Sequence, residues 1–235
     1  MDYSLRTLQQ YQVNQAGNAE VVRQRLYDYQ LYPTAGQAQL TFFSLPLGQG
    51  LATAAGAAAG SAKTYADTNM EVGGALPRPK AFLVESIEVS FEPGSVSTAN
   101  TFTEVKAAIF NATAALALLE QIDDVDLIRQ SGWLEFYIGS KTYIWESPLG
   151  SFPMKTWLGL DSALSMAGTN AQPAALGLAS AKWAGRPYYL DPPITLESLQ
   201  NFAIYLKWPG VVATPSGFNG RIGVILDGVI FRNAQ

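Results

Sequence analysis

The stretch Phe82-Leu83-Val84-Glu85-Ser86-Ile87-Glu88-Val89-Ser90-Phe91 reads as the longest strand of this chain. Phe82 and Val84 lie in one register, and Leu83, Ile87, Val89 and Phe91 extend the apolar character into the other, which suits a central position in a sheet. Leu76-Pro77-Arg78-Pro79 brings the chain into it and Pro93-Gly94 ends it. Working outward, more strands of the same kind follow, each punctuated by proline or glycine. Upstream, Leu26–Tyr32 stops at Pro33 and Gln39–Leu45 stops at Pro46, joined through Thr34-Ala35-Gly36. Downstream, Trp133–Ile138 and Lys141–Glu146 form a hairpin about Gly139-Ser140, since glycine in the first loop position suits a type II′ turn. Strand character returns at Arg186–Leu190, at Phe202–Trp208 after an Asp191-Pro192-Pro193 turn, and at Arg221–Arg232. Within the last, Asp227-Gly228 reads either as a tight hairpin or as a bulge in one bent strand. Gly217, Gly220 and Gly223 mark a turn before it, at the wrong spacing for a dinucleotide fingerprint.

Between these strands lie segments of other character. Thr101-Phe102-Thr103-Glu104 fits a capping box, and Val105, Ile109, Ala112, Leu116 and Leu119 recur on one helical face, so a helix is predicted there. Gly48–Ala62 (GQGLATAAGAAAGSA) is too rich in glycine for a stable helix and carries no Lys-Ser/Thr for a phosphate loop. It reads as a mobile loop or one ordered by a neighbouring subunit. A second Gly/Ala/Ser-rich stretch, Ser162–Ala184, reads as irregular. Residues 1–24 are polar and Gln/Asn-rich and read as an arm, leaving residues 25–235 as one domain. About eight or nine strands, one helix and long loops, with no strand-helix alternation, predict an all-β sandwich, specifically a single jelly roll of about eight strands in two sheets.

Composition narrows the function. The 235 residues include no histidine and no cysteine, which removes Ser-His-Asp and Cys-His nucleophiles, thiolate chemistry, disulfides and ordinary zinc sites. Only 14% of residues are charged against 48% hydrophobic, so the surface is poor in charge. The fifteen cations are scattered and the net charge is -4, so no phosphate-tracking stripe is present and sequence-specific nucleic-acid binding is not expected. Neither a secretory leader nor a membrane-spanning stretch is expected.

One carboxylate pair merits attention. A two-residue loop sets Glu135 opposite Ile144 and Trp133 opposite Glu146, placing Glu135 and Glu146 on one face. Diagonal neighbours there lie about 7–8 Å apart, overlapping the roughly 5–9.5 Å between glycosidase carboxyls, with Trp133 and Tyr137 as sugar platforms. The plainer reading makes this the solvated or subunit-facing side of a hairpin whose other face, Leu134, Phe136, Ile138, Tyr143 and Trp145, is core. Asp123, Asp124 and Asp126 lack the spacing of a calcium loop and read as a solvated turn. Asn111-Ala112-Thr113 matches a glycosylation sequon by chance, inside the predicted helix. No catalytic, cofactor-binding or metal-binding residue is assigned, and no cofactor is expected.

Taken together, Asp67–Met70 with Gly74–Pro79 leading into Phe82–Val89, then Gly132–Tyr143 followed by Ser147–Pro153, Phe202–Pro209 and Arg221–Arg232, resemble segments of the jelly-roll major capsid proteins of tailless icosahedral, membrane-containing bacteriophages. The resemblance covers about half the chain, in patches. It implies a virion shell protein without an active site, made in the host cytoplasm, whose loops and arm bind copies of itself, a second capsid or penton protein and an internal membrane surface. A double roll wants about sixteen strands, twice the eight of one roll, so a single roll is expected. Two other readings stand beside it: a carbohydrate- or receptor-binding jelly roll of a spike or fibre head using exposed Trp and Tyr, and a β-sandwich glycosidase using Glu135 and Glu146.

Overall fold

The computed structural model describes residues 19–54, 56–94, 123–153, 160–165, 176–181 and 187–233. Ten strands are formed among them: β1 (Ala19–Tyr32), β2 (Gln39–Phe42), β3 (Ala81–Glu92), β4 (Trp133–Ile138), β5 (Lys141–Glu146), β6 (Leu160–Ser165), β7 (Leu176–Ala181), β8 (Tyr188–Leu196), β9 (Phe202–Lys207) and β10 (Gly220–Asn233). Two four-stranded antiparallel sheets, ordered β1-β10-β3-β8 and β2-β9-β4-β5, make the sandwich. The order follows from one operation. The chain folds back at the β4–β5 hairpin so that β3 pairs with β8, β2 with β9 and β1 with β10, and successive pairs fall in alternate sheets. A long hairpin rolled up in this way is a jelly roll.

Alternation puts one face of each strand inward. Val84, Ile87, Val89 and Phe91 of β3 and Ile222, Val224 and Leu226 of β10 meet Leu134, Phe136 and Ile138 of β4 and Ile204 and Leu206 of β9 in one core. Each such side chain contributes about 1.5–3 kcal/mol by leaving water. As its apolar run predicts, β3 is an inner strand, and its outward residues Ala81 and Leu83 are buried too, against Val229 and Phe231.

Several expectations change. β1 begins at Ala19, six residues before the expected start of the domain at 25, because Ala19–Gln24 pairs with the far half of β10 and half-buries Val21 and Val22 against the hydrophobic clusters. The predicted helix at Thr101–Leu119 and the sequon at Asn111 lie outside the described residues. Residues 123–131 are helical, where a solvated turn was expected; Asp124 is fully buried and accepts hydrogen bonds from the Ser216 backbone N–H (2.9 Å) and its hydroxyl. Within the stretch read as irregular, Leu160–Ser165 and Leu176–Ala181 pair as an antiparallel ribbon; small residues masked a backbone ladder that composition does not reveal. Asp191-Pro192-Pro193 does not turn the chain but sits inside β8. The register against β3 jumps there, from Ser86↔Tyr189 to Val84↔Ile194, and an edge strand tolerates prolines in such a bulge.

The Asp227-Gly228 alternative is decided in favour of one continuous strand, but the bulge beside it lies in its neighbour β3. Asp227 faces Ser86 and Gly228 faces Val84, so Glu85 of β3 is the extra residue. Gly228 is required by the close approach this creates: a Cβ there would lie 1.8 Å from the Leu83 carbonyl oxygen. Glu85 turns out to meet Arg23 at 3.0 Å.

The Gly48–Ala62 loop is irregular, as its glycines predict, but its own chain ties it down. Lys63 donates to Asp28 on β1 at 2.5 Å, with both groups buried, and the other Asp28 oxygen accepts the Phe43 N–H at 2.7 Å. Burial pushes the Asp28 carboxyl above its ordinary value, although the Lys63 ammonium opposes this. Asp67 caps the loop from the other end, accepting from the Thr53 and Ala54 N–H groups and from Thr64. Burial works against that carboxylate, but these donors and Arg221 hold it below its usual range. Arg221 stacks 3.8 Å from the Tyr29 ring centre and bonds Glu92 and the Ala66 carbonyl. Residues 67–69 then cover the outer edge of β1, with Tyr29 N–H donating to Asp67 O at 2.8 Å and the Asn69 side chain bridging Tyr27 and Arg25. Where it is covered, from Arg25 to Tyr29, this edge cannot recruit another strand.

Candidate interaction surfaces

The hairpin that carries Glu135 and Glu146 keeps its Gly139-Ser140 turn: Gly139 has φ +59° while Ser140 does not share the positive sign, as type II′ requires. Its register departs from expectation. Ile138 faces Lys141 and Tyr137 faces Thr142, but Phe136 faces Ile144, leaving Tyr143 as an unpaired residue. Because strand faces alternate with period two, this single bulge reverses everything beyond it. Glu135 now faces Trp145, and Glu146 faces the core residue Leu134. The two carboxylates therefore lie on opposite faces and cannot flank one glycosidic bond. Tyr143 and Trp145, expected in the core, are 46% and 75% exposed, while Ile144 turns to the core side. Glu146 instead accepts from the Tyr188 hydroxyl of β8 at 3.3 Å, tying the edges of the two sheets together.

On the outer face, Glu135 is 5% exposed and organises its neighbours. One oxygen accepts from Trp133 Nε1 at 2.8 Å; the other accepts from the Tyr137 hydroxyl at 2.9 Å and from Lys207 Nζ at 2.7 Å. Burial alone would raise its pKa, but the Lys207, Trp133 and Tyr137 donors hold the carboxyl below its usual value. Three donors on one buried carboxylate make Glu135 the group that holds Trp133, Tyr137 and Lys207 in place. The ladder continues the row as Thr41, Tyr205, Glu135 and Trp145 across β2, β9, β4 and β5. Tyr137 packs edge-on against Tyr205, ring centres 5.4 Å apart. Sequence reasoning had Trp133 and Tyr137 on this face but not Tyr205, Lys207 or Trp145. Lys207 and Tyr205 alternate with core residues along β9, and only the β4–β9 pairing brings them to Glu135.

The side of the sandwich opposite the covered β1 edge differs in kind. There β5 and β8 are the outermost strands of their sheets, and Tyr143 and Trp145 on β5 and Tyr189 on β8, 54% exposed, project around them. Further large apolar side chains are exposed on the connecting loops, Val211 and Phe218 at one end of the roll and Leu199 and Val72 at the other. Among the described residues no cluster of carboxylates is arranged to hold a metal ion, and no helix is long and apolar enough to cross a membrane. Comparison with protein-family models, with curated proteins and with solved structures finds no match to this chain.

Proposed function

We propose that this chain is a structural coat protein that assembles with copies of itself into an icosahedral virion shell. The observation that carries the reading is the β5/β8 side of the jelly roll, where two outermost strands are ringed by exposed Tyr143, Trp145 and Tyr189 on a chain otherwise poor in charge. Aromatic enrichment and charge depletion are the signature of surfaces that become buried on association. The roll itself is shared by capsid proteins, lectins and cupins, so it permits the reading without selecting it. The separation of Glu135 from Glu146 weighs against the glycosidase alternative. Assembly partners on this reading are further copies, a second capsid or penton protein and an internal membrane surface.

The test is the mass of the purified protein by light scattering across concentration, with electron microscopy of the eluted species. Trimers, pentamers, hexamers or shells support the proposal; a monomer at every concentration, alone and mixed with lipid vesicles and co-expressed virion proteins, overturns it. Removal of residues 1–18 should leave the fold intact and impair assembly. The cut belongs there and not at residue 24, because Ala19–Gln24 completes the ladder with β10.

A further inference from the structure

The outer face of the β2-β9-β4-β5 sheet holds a cleft of about 520 Å³, lined by Gln39, Tyr137, Asn201, Ala203, Tyr205 and Lys207. This is within the range of small-molecule sites, roughly 300–1,000 Å³. Its rim is built of backbone: Gly139 N–H donates to Asn201 O at 2.7 Å, and Phe202 N–H donates to Gly74 O at 2.8 Å. The rings are held before any ligand arrives, because Glu135 fixes Tyr137 and Lys207 by hydrogen bonds and Tyr205 packs against Tyr137. Such ordering lowers the entropic cost of binding.

From this arrangement we infer that the cleft is a binding site for a neutral saccharide. Three features select the class. Lys207 is the charged residue lining the cleft, and its charge is balanced by Glu135 at 2.7 Å, so the site favours neither anions nor cations. The Tyr137 and Tyr205 rings line the cleft and offer apolar faces that sugar C–H groups stack on, with Lys207 Nζ 5.5 Å from the Tyr205 ring centre on one side. The side-chain amides of Gln39 and Asn201 and the Tyr205 hydroxyl form no hydrogen bond to described residues, and together they donate and accept as a ring of hydroxyls requires. A purely apolar ligand would leave these groups unpaired, and a phosphate would find one lysine already neutralised. The inference is independent of the coat-protein reading, since the cleft is built within one chain.

The test is isothermal titration and saturation-transfer NMR of the full chain with maltohexaose, cellohexaose, mannohexaose and chitohexaose, and with sialyllactose as the charged comparison. At least one neutral hexaose should bind saturably, and Gln39→Ala and Asn201→Ala, both exposed positions, should each weaken it several-fold without changing the melting temperature. Tyr205→Ala should weaken it at least tenfold. Glu135→Gln leaves the Lys207 charge uncompensated and should shift preference towards sialyllactose, a change that mere loosening of the fold does not produce. Absence of saturable binding to all four neutral hexaoses at 10 mM (~2.7 kcal/mol or less at 1 M standard state), or binding that Gln39→Ala, Asn201→Ala and Tyr205→Ala all leave unchanged, overturns the inference. Particle assembly by the same variants reads the coat-protein proposal separately.

Discussion

Glu135 faces Trp145 across the β4–β5 ladder, and the residue responsible is Tyr143, which stands in β5 without a partner. This relationship places a buried carboxylate under an aromatic surface and sends Glu146 to the other face. It also ranks the hairpin's side chains energetically. Phe136→Ala should cost about 3–5 kcal/mol by opening a core cavity, whereas Trp145→Ala should stay within about 0.5 kcal/mol, as exposed positions do. Urea unfolding of the two variants checks the register; equal losses would contradict it. Deletion of Tyr143 should leave the Phe136–Ile144 pair and the near-ultraviolet circular dichroism of the core unchanged.

Gly228 lies at the point where β10 presses closest to β3. A methyl group there meets the Leu83 carbonyl oxygen at 1.8 Å, and backbone in the middle of a sheet has no room to yield. Gly228→Ala should therefore destabilise by about 3 kcal/mol, the upper part of the overpacking range, and thermal melting measures it. Gly139→Ala, at an open turn position with nothing nearby, carries only the conformational penalty of its positive φ, about 1–2 kcal/mol.

The buried Lys63–Asp28 pair anchors the Gly48–Ala62 loop to β1. Lys63→Met strands the carboxylate and should cost about 3–5 kcal/mol. Adding Asp28→Asn to that variant removes the stranded charge while keeping an acceptor for the Phe43 N–H, so most of the loss should be recovered. A double-mutant cycle by chemical denaturation reads the coupling, and simple additivity would refute the anchoring role.

Stability against acid should follow Asp67 and Glu135. Both carboxyls titrate below their usual values when folded, so the stabilisation they supply is present above the unfolded carboxylate range, about pH 3.9–4.3, and is lost as pH falls through the lower folded values. Asp28 has the opposite sign: its raised value means that acid relieves the cost of burying its charge. Asp67→Asn should thus be less stable than the parent chain at pH 7, by about 1–3 kcal/mol for the orphaned donors, with the gap narrowing as the pH falls below the unfolded carboxylate value of about 3.9. Melting temperatures across that range check the convergence; a constant gap would contradict the assignment.

What could be read from the chain alone was the order of the eight strands of the sandwich, though not the β6–β7 ribbon. The apolar run of β3, the Pro and Gly punctuation and the Gly139-Ser140 turn are local features, and local features specify strands, turns and the class of a sandwich. Even the jelly roll was within reach, because nesting strand pairs about a central hairpin is the simplest way to bury that many strands without a helix between them.

Tertiary structure decided registers and partners. Nothing in Tyr143-Ile144-Trp145 announces a bulge; the choice between burying Ile144 or its two aromatic neighbours is made against β4 and the opposite sheet, and that space exists only once both sheets are packed. The same holds for Lys207, which alternates like any strand residue until β9 is laid beside β4 and its ammonium meets Glu135. Ala19–Gln24, with only Val21 and Val22 to declare it, becomes a strand because β10 offers a ladder of backbone groups that need partners and the assembled clusters take up the two valines. Sequence dictates what each segment can bury, but a period-two element has two faces, and only the assembled neighbours determine which one turns inward.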